Sequence, residues 1–350
     1  MKTLKKILAV VILCLFATSC SKDDAPLQTQ IPSVTNNVYV SGYEKNASGK
    51  TVSKYWKNGT ETILTSGTNN SQTKAMTVAG NDVYVFGYET ATFLVAKVWK
   101  NGIATSLTDG TNNAMATCVT VVGSDVYVGG WENKPGEIVP IAKVWKNGVV
   151  TSITDATYSA EINSICVVGN DVYVAGYEIG GLGNRVAKFW KNGIVNWLSN
   201  GGNSAAATTI SVVGNDVYVG GYETNATGND VAKIWKNGIA TSLSNGLTDA
   251  GVNAISLIGT DLYAVGSEFN AAGKLVAKVW KNSMATSLSD GTKNAYAKSI
   301  FVLGNDIYVS GMEYNTSEKL VGKYWKNGVA TNLTTGDLDA YGSGIFVTTN

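Results

Sequence analysis

The chain has 350 residues, 44% hydrophobic and 15% charged, with 4 Pro and 39 Gly; a sizeable core can be buried, and a disordered or collagen-like chain is excluded. Lysine and arginine together number 27 against 26 acids, a formal net charge of +1, which offers nucleic acid and anionic membrane surfaces no electrostatic hold. Histidine is absent and Arg185 is the only arginine, so histidine-based triads, general bases and metal ligands are ruled out.

The first segment reads as a processing signal. Lys2, Lys5 and Lys6 precede an apolar run at 7–17 that is too short for the roughly 20 residues of a membrane-spanning helix. The following "FATSC" and "SKDD" resemble a bacterial lipoprotein signal, although Ala17 stands where such signals usually carry Leu. The resemblance implies removal of residues 1–19, lipidation of Cys20, a tether over 20–35 and outer-membrane or cell-surface localisation. An ordinary cleaved secretory signal is the competing reading. Beyond Cys20 only Cys118 and Cys166 remain, in positions where sister repeats hold Ala, Ser or Thr, so they read as small core residues and not as a disulfide framework.

From residue 36 onward the sequence repeats. "GNDVYVGGYE" and "AKVWKNG" alternate, and the Trp of the second phrase recurs at Trp56, Trp99, Trp145, Trp190, Trp235, Trp280 and Trp325, a period of about 45 residues that marks propellers and solenoids. In one copy, "ATTISVVG", "DVYVGGYE", "VAKIWKNG" and "IATSLSNG" are four β-branched or alternating runs. Gly214-Asn215 and Asn237-Gly238 supply residues that tolerate the positive φ of tight hairpin turns. A four-stranded antiparallel meander with two apolar faces must stack on its neighbours. The chain starts on a second strand at Asn36 and finishes on a first strand from Gly342. The expected fold is therefore all-β: a seven-bladed β-propeller over 36–350, four antiparallel strands per blade, its ring closed by the C-terminal strand joining the N-terminal blade.

Within that frame most polar repetition is structural. A Glu ends each second strand (Glu44 to Glu313) and a Lys opens each third (Lys54 to Lys323), an arrangement suited to cross-strand ion pairs. Six Asp at the first turn and the Lys before the second turn are expected to offset each other on one face. The seven Trp are expected between blades, and the Gly of "VYVxG" suits a close backbone approach. Only the loop between second and third strands varies in length, and no copy carries an inserted catalytic loop.

"DVYVGGYE" resembles kelch-type propeller repeats and "AKVWKNGIATSLTDG" is similar to the extracellular repeats named HAF, which implies a secreted propeller with no particular activity. Function is expected on the variable-loop face. Six and eight residues before the turn that follows each first strand, the copies diverge: Lys74, Thr117, Asn163, Thr208, Asn253, Lys298 and Ser343, then Gln72, Met115, Glu161, Ala206, Gly251, Tyr296 and Tyr341. Lys74, Glu161, Asn163, Asn253, Tyr296, Lys298 and Tyr341 are the candidate ligand-binding residues. Blade four is further set apart by Tyr158, Arg185 and Trp197. These features lead to an expected monomeric binding module for a glycan or protein, lipid-anchored at the outer membrane, with no cofactor, no metal and no enzymatic activity. The alternatives are a structural or adhesive surface lipoprotein and a cryptic glycan hydrolase, the latter drawing on Glu161, Asp337 and Asp339, for which no pairing can be read.

Overall fold

The computed structural model describes residues 36–349; the signal segment, Cys20 and the tether assigned from sequence lie outside those residues. The described chain is all strand and turn. It opens with β1 (Asn37–Lys45), β2 (Thr51–Lys57) and β3 (Thr60–Ile63). Strands β4–β7 (71–106), β8–β11 (114–152), β12–β15 (160–197), β16–β19 (205–242), β20–β23 (250–287) and β24–β27 (295–332) follow as six four-stranded antiparallel sheets, and the chain ends in β28 (Ala340–Thr348). We number these sheets blades 2 to 7. Blade 1 has the order β28-β1-β2-β3. The expected closure is observed: β28 lies antiparallel to β1 from Asn37↔Thr348 to Glu44↔Ala340. A Lys45–Asp339 ion pair of 2.8 Å fastens the same seam.

The hairpins form for the reasons visible in sequence. At the second turn Asn237 and Gly238 take φ of 50° and 82°, the left-handed conformation that Asn tolerates and Gly adopts freely. The Asn does more than tolerate it. In blade 5 Asn237 Oδ1 accepts the amide of Val217 and its Nδ2 donates to Asp216, so one side chain ties the second turn to the first. The neighbouring blades repeat this bond for bond, as at Asn192 with Val172 and Asp171.

Packing between blades is carried by the recurring Trp, all of them buried. Trp325 of blade 7 packs with Tyr263, Val265, Ala277 and Val279 of blade 6, and Trp235 of blade 5 with Tyr173, Ala175, Ala187 and Phe189 of blade 4. Each indole fills the interface with the preceding blade, where area burial of about 150–250 Å² per ring dominates the energetics. The outermost strands are only four residues long with mostly exposed side chains, a short edge that gives little template for pairing with other chains. Cys118 is buried and unpaired and Cys166 is half-buried and unpaired; burial pushes the Cys118 thiol up to about 12, so it stays protonated and inert.

Candidate functional site

The divergent positions acquire their geometry from one backbone irregularity. Every innermost strand is interrupted by a β-bulge, and the extra residue is Lys74 in blade 2, Asn163 in blade 4, Thr208 in blade 5, Asn253 in blade 6 and Lys298 in blade 7; Thr117 and Ser343 hold the equivalent places in blades 3 and 1. A bulge frees one residue from the pairing ladder and redirects its side chain. These seven residues all line one narrow central space on the propeller axis.

The bulge also explains the strand-two glycine. A Cβ on Gly176 would stand 1.9 Å from the carbonyl oxygen of Glu161, and one on Gly87 1.9 Å from that of Gln72. The close approach expected from sequence is real, and its cause is the innermost-strand carbonyl two residues before the bulge.

Five of the bulge side chains are spent on the ring itself. Thr117 donates to Ile162 O at 2.5 Å, Thr208 to Val252 O at 2.7 Å, Asn163 to Ala207 O at 2.9 Å, Asn253 to Ala297 O at 2.7 Å and Ser343 to Thr73 O at 2.9 Å. Each bond crosses to the next blade, and the Ser343 bond crosses the seam. The amide nitrogens of Asn163 and Asn253, named above as ligand-binding candidates, are thus engaged in the scaffold.

Lys74 and Lys298 break the series. Lys74 Nζ donates to Gln72 Oε1 at 3.1 Å and stands 5.7 Å from the Tyr88 ring centre; Lys298 Nζ stands 5.5 Å from that of Tyr296.

Above the bulges the axis opens into a cavity of 590 Å³ lined by Lys74, Glu161, Asn163, Asn253, Lys298 and Tyr341, six of the seven candidates. The seventh, Tyr296, lines an adjoining depression of 220 Å³ that shares Asn253 and Lys298 with the mouth. Sequence reasoning missed part of the wall: Tyr43, Tyr177, Tyr222 and Met312, the residue after each strand-two glycine, sit opposite the divergent positions, as in Tyr43↔Tyr341 and Tyr177↔Glu161. The three tyrosines were present as the Tyr of the "GYE" phrase, hidden because it reads as part of the repeat, and Met312 stands in its place in blade 7. Tyr43 and Tyr341 stack with ring centres 4.5 Å apart.

The blade-four departures divide. Arg185 reaches the mouth, where its Nη1 donates to the Tyr222 hydroxyl at 2.9 Å and its guanidinium lies 4.7 Å from the Tyr177 ring centre, while Trp197 stays exposed on the outermost strand beneath Lys188, 3.8 Å away.

Burial sets the electrostatics of this space. It raises the Tyr43 and Tyr177 hydroxyls above their ordinary values, with Tyr341 adding to the first and Glu161 to the second. Burial lowers both lysines: Lys74 is pushed further down by Lys298 and pulled partly back by Glu161, and Lys298 is lowered by burial alone. The acids weighed for hydrolysis do not converge. Asp337 accepts from Thr335 and lines a separate cavity near the seam, Asp339 is paired with Lys45, and Glu161 lies in the mouth.

The repeated charges are paired as expected. Glu–Lys pairs form in all seven blades, at 2.7 Å for Lys54–Glu44 and 3.1 Å for Lys233–Glu223. Asp–Lys pairs of 2.7–2.8 Å form in blades 2 to 7. Loop asparagines also have structural work: Asn46 and Asn225 donate to Gly67 O and Gly246 O and clamp the loop entering the next blade.

No protein-family model matches the chain, and no curated protein matches it. Its fold is similar to solved structures, among them the acylaminoacyl peptidase of Pyrococcus horikoshii (10% identity, TM-score 0.50, covering 86% of this chain and 51% of that one) and a puromycin-hydrolyzing peptidase of Mycobacterium tuberculosis (11% identity, TM-score 0.52, covering 85% and 51%). The chain thus spans about half the length of these peptidases, and at such identity the likeness is one of fold. It nevertheless corrects one expectation. The absence of enzymatic activity was expected because no blade carries an inserted catalytic loop, only one Arg is present and no carboxylate pair can be read, yet the fold is similar to parts of two peptidases, so the architecture gives no ground for setting hydrolysis aside.

Proposed function

We propose that this propeller is a lipid-anchored, cell-surface binding module that recognises a glycan through the mouth on its variable-loop face. The observation that carries the reading is a coincidence of position: nine of the fourteen positions at which the seven copies diverge line the 590 Å³ cavity, whereas the repeated Glu, Asp, Lys and Trp are occupied with pairing and packing. A concave space of that size with aromatic and hydrogen-bonding walls is the usual form of a small-molecule site, about 300–1,000 Å³. Tyr341 and Tyr296 supply apolar ring faces with a polar tip, suited to a sugar that has apolar and hydroxylated sides. Lipidation at Cys20 would tether the propeller to the membrane.

A glycan array tests the reading. The wild-type propeller is expected to retain a defined set of glycans, and a Lys74→Ala/Tyr296→Ala/Lys298→Ala variant that keeps a single cooperative melt is expected to lose them. Undiminished binding by that variant would remove the mouth as the site.

A further inference from the structure

The seven bulge positions contain an internal control. In blades 1, 3, 4, 5 and 6 a short Ser, Thr or Asn bonds the next blade. In blades 2 and 7 a lysine stands there, and among the described residues no bond from it to the next blade is formed; Lys74 turns instead to Gln72 of its own strand. Blades 2 and 7 are the two neighbours of blade 1, so the lysines flank Ser343 at the seam. The inter-blade bonds from blade 7 to blade 1 and from blade 2 to blade 3 are given up, on either side of the Ser343 bond that is kept.

The lysines are also unlike the thirteen that belong to the repeated pairs. The seven that open third strands and the six beside first-turn Asp residues all meet a carboxylate. Among the described residues no ion pair joins Lys74 or Lys298 to a carboxylate: Glu161, the acid of the mouth, acts on Lys74 only at a distance. Two half-buried ammonium groups that repel each other and lack a counter-ion are unfavourable for folding. With Arg185 they outnumber Glu161 three to one in the same cavity.

We infer that Lys74 and Lys298 form a carboxylate subsite at the base of the mouth, and that the ligand is an acidic saccharide of the uronic-acid type whose carboxylate completes the missing counter-charge. This deepens the glycan reading and rests on it. Two point-charge ammonium groups can each contribute a charge-assisted bond to separate carboxylate oxygens. Arg185, the third cation of the mouth, already spends a donor on Tyr222. Tyr296 beside Lys298 and the stacked Tyr43–Tyr341 pair place aromatic faces next to the charge, as a sugar ring carrying its own carboxylate requires.

Isothermal titration with a uronic-acid tetrasaccharide, its methyl ester and inorganic phosphate separates the possibilities. The free acid is expected to bind and the ester, with the same sugar and no charge, to bind at least about tenfold more weakly; Lys74→Met and Lys298→Met should each weaken the free acid by about tenfold or more, the strength of one bond to a charged group. Both variants are expected to melt at or above the wild-type temperature, which keeps loss of binding distinct from loss of fold. Ester binding equal to the acid, or methionine variants that bind the acid normally, would overturn the carboxylate subsite and leave the glycan reading standing. Phosphate binding tighter than the uronate would overturn the saccharide assignment. Failure of both acid and ester to bind, with the array also silent, would overturn subsite and glycan reading together.

Discussion

The two ends of the propeller axis are built by opposite rules. On the turn face each of blades 2 to 7 repeats one solution: in blade 3, Asp125 receives Lys146 at 2.8 Å and Asn147 Nδ2 at 2.8 Å, Asn147 Oδ1 caps Val126, and Lys146 lies 5.0 Å from the Tyr127 ring centre. Hydrogen bonding to its partners holds Asp125 below and Lys146 above their ordinary values, as expected where both charged forms are stabilised. At the mouth the same seven-fold framework carries Lys, Ser, Thr and Asn in turn, and two of its charges are left without a carboxylate. Repetition with every Asp and Lys of the motif paired marks the turn face of blades 2 to 7. Departure from the repeat, where stability is sacrificed, marks the place where a ligand would be needed.

The largest effect is expected where the scaffold is closed. A chain that stops after Asp339 loses β28, the Tyr43–Tyr341 stack and the Ser343 bond across the seam. Because each blade is held by its neighbours, the whole propeller should lose its cooperative melt by circular dichroism. A main transition that survives, with only blade 1 loosened, would show that the seam is dispensable. A smaller and more local contrast comes from two glycines of the mouth. Gly176→Ala places a methyl group 1.9 Å from Glu161 O, whereas Gly251→Ala meets nothing nearer than Tyr222 Cβ at 3.9 Å. Urea unfolding should show a loss of about 3 kcal/mol for the first and a gain of up to about 1 kcal/mol for the second, through reduced freedom of the unfolded chain. Equal effects would mean that the bulge is not where the backbone is tightest.

Much of this was readable beforehand, and the remainder was hidden for definable reasons. The 45-residue spacing of Trp and the recurring Asn-Gly turns carry blade number and strand order because they are local chemistry repeated from copy to copy, and the two incomplete ends complement each other at the seam. The candidate list around the mouth was also legible as divergence from a repeat. What sequence could not supply was the bulge, an unpaired residue with no composition of its own, and hence the fact that Asn163 and Asn253 spend their amides on neighbouring blades while Lys74 and Lys298 do not. Tyr177 and Tyr222 were overlooked for the converse reason: a conserved-looking repeat residue can also be a wall of the site when the strand that bears it faces the axis.

The last and smallest effect is a pH dependence that sets the two ends of the axis against each other. Lys74 and Lys298 have folded-state values below the ordinary 10.5, so between those values and 10.5 the unfolded chain binds more protons than the folded one. In that window stability rises with pH on their account; their unfavourable contribution is complete below the lowered folded values and vanishes as pH approaches 10.5. The turn-face lysines, raised by their Asp partners, contribute with the opposite sign and lose their stabilisation only as pH climbs beyond 10.5. Comparing wild type with Lys74→Met/Lys298→Met cancels the turn face. The double variant should melt higher than wild type at neutral pH, and the gap should close as pH is raised toward 10.5. Bound uronate should close the same gap at neutral pH by supplying the counter-charge. A gap that is constant with pH would mean that the lysines are relieved in some other way, and that the mouth is as fully satisfied as the face opposite.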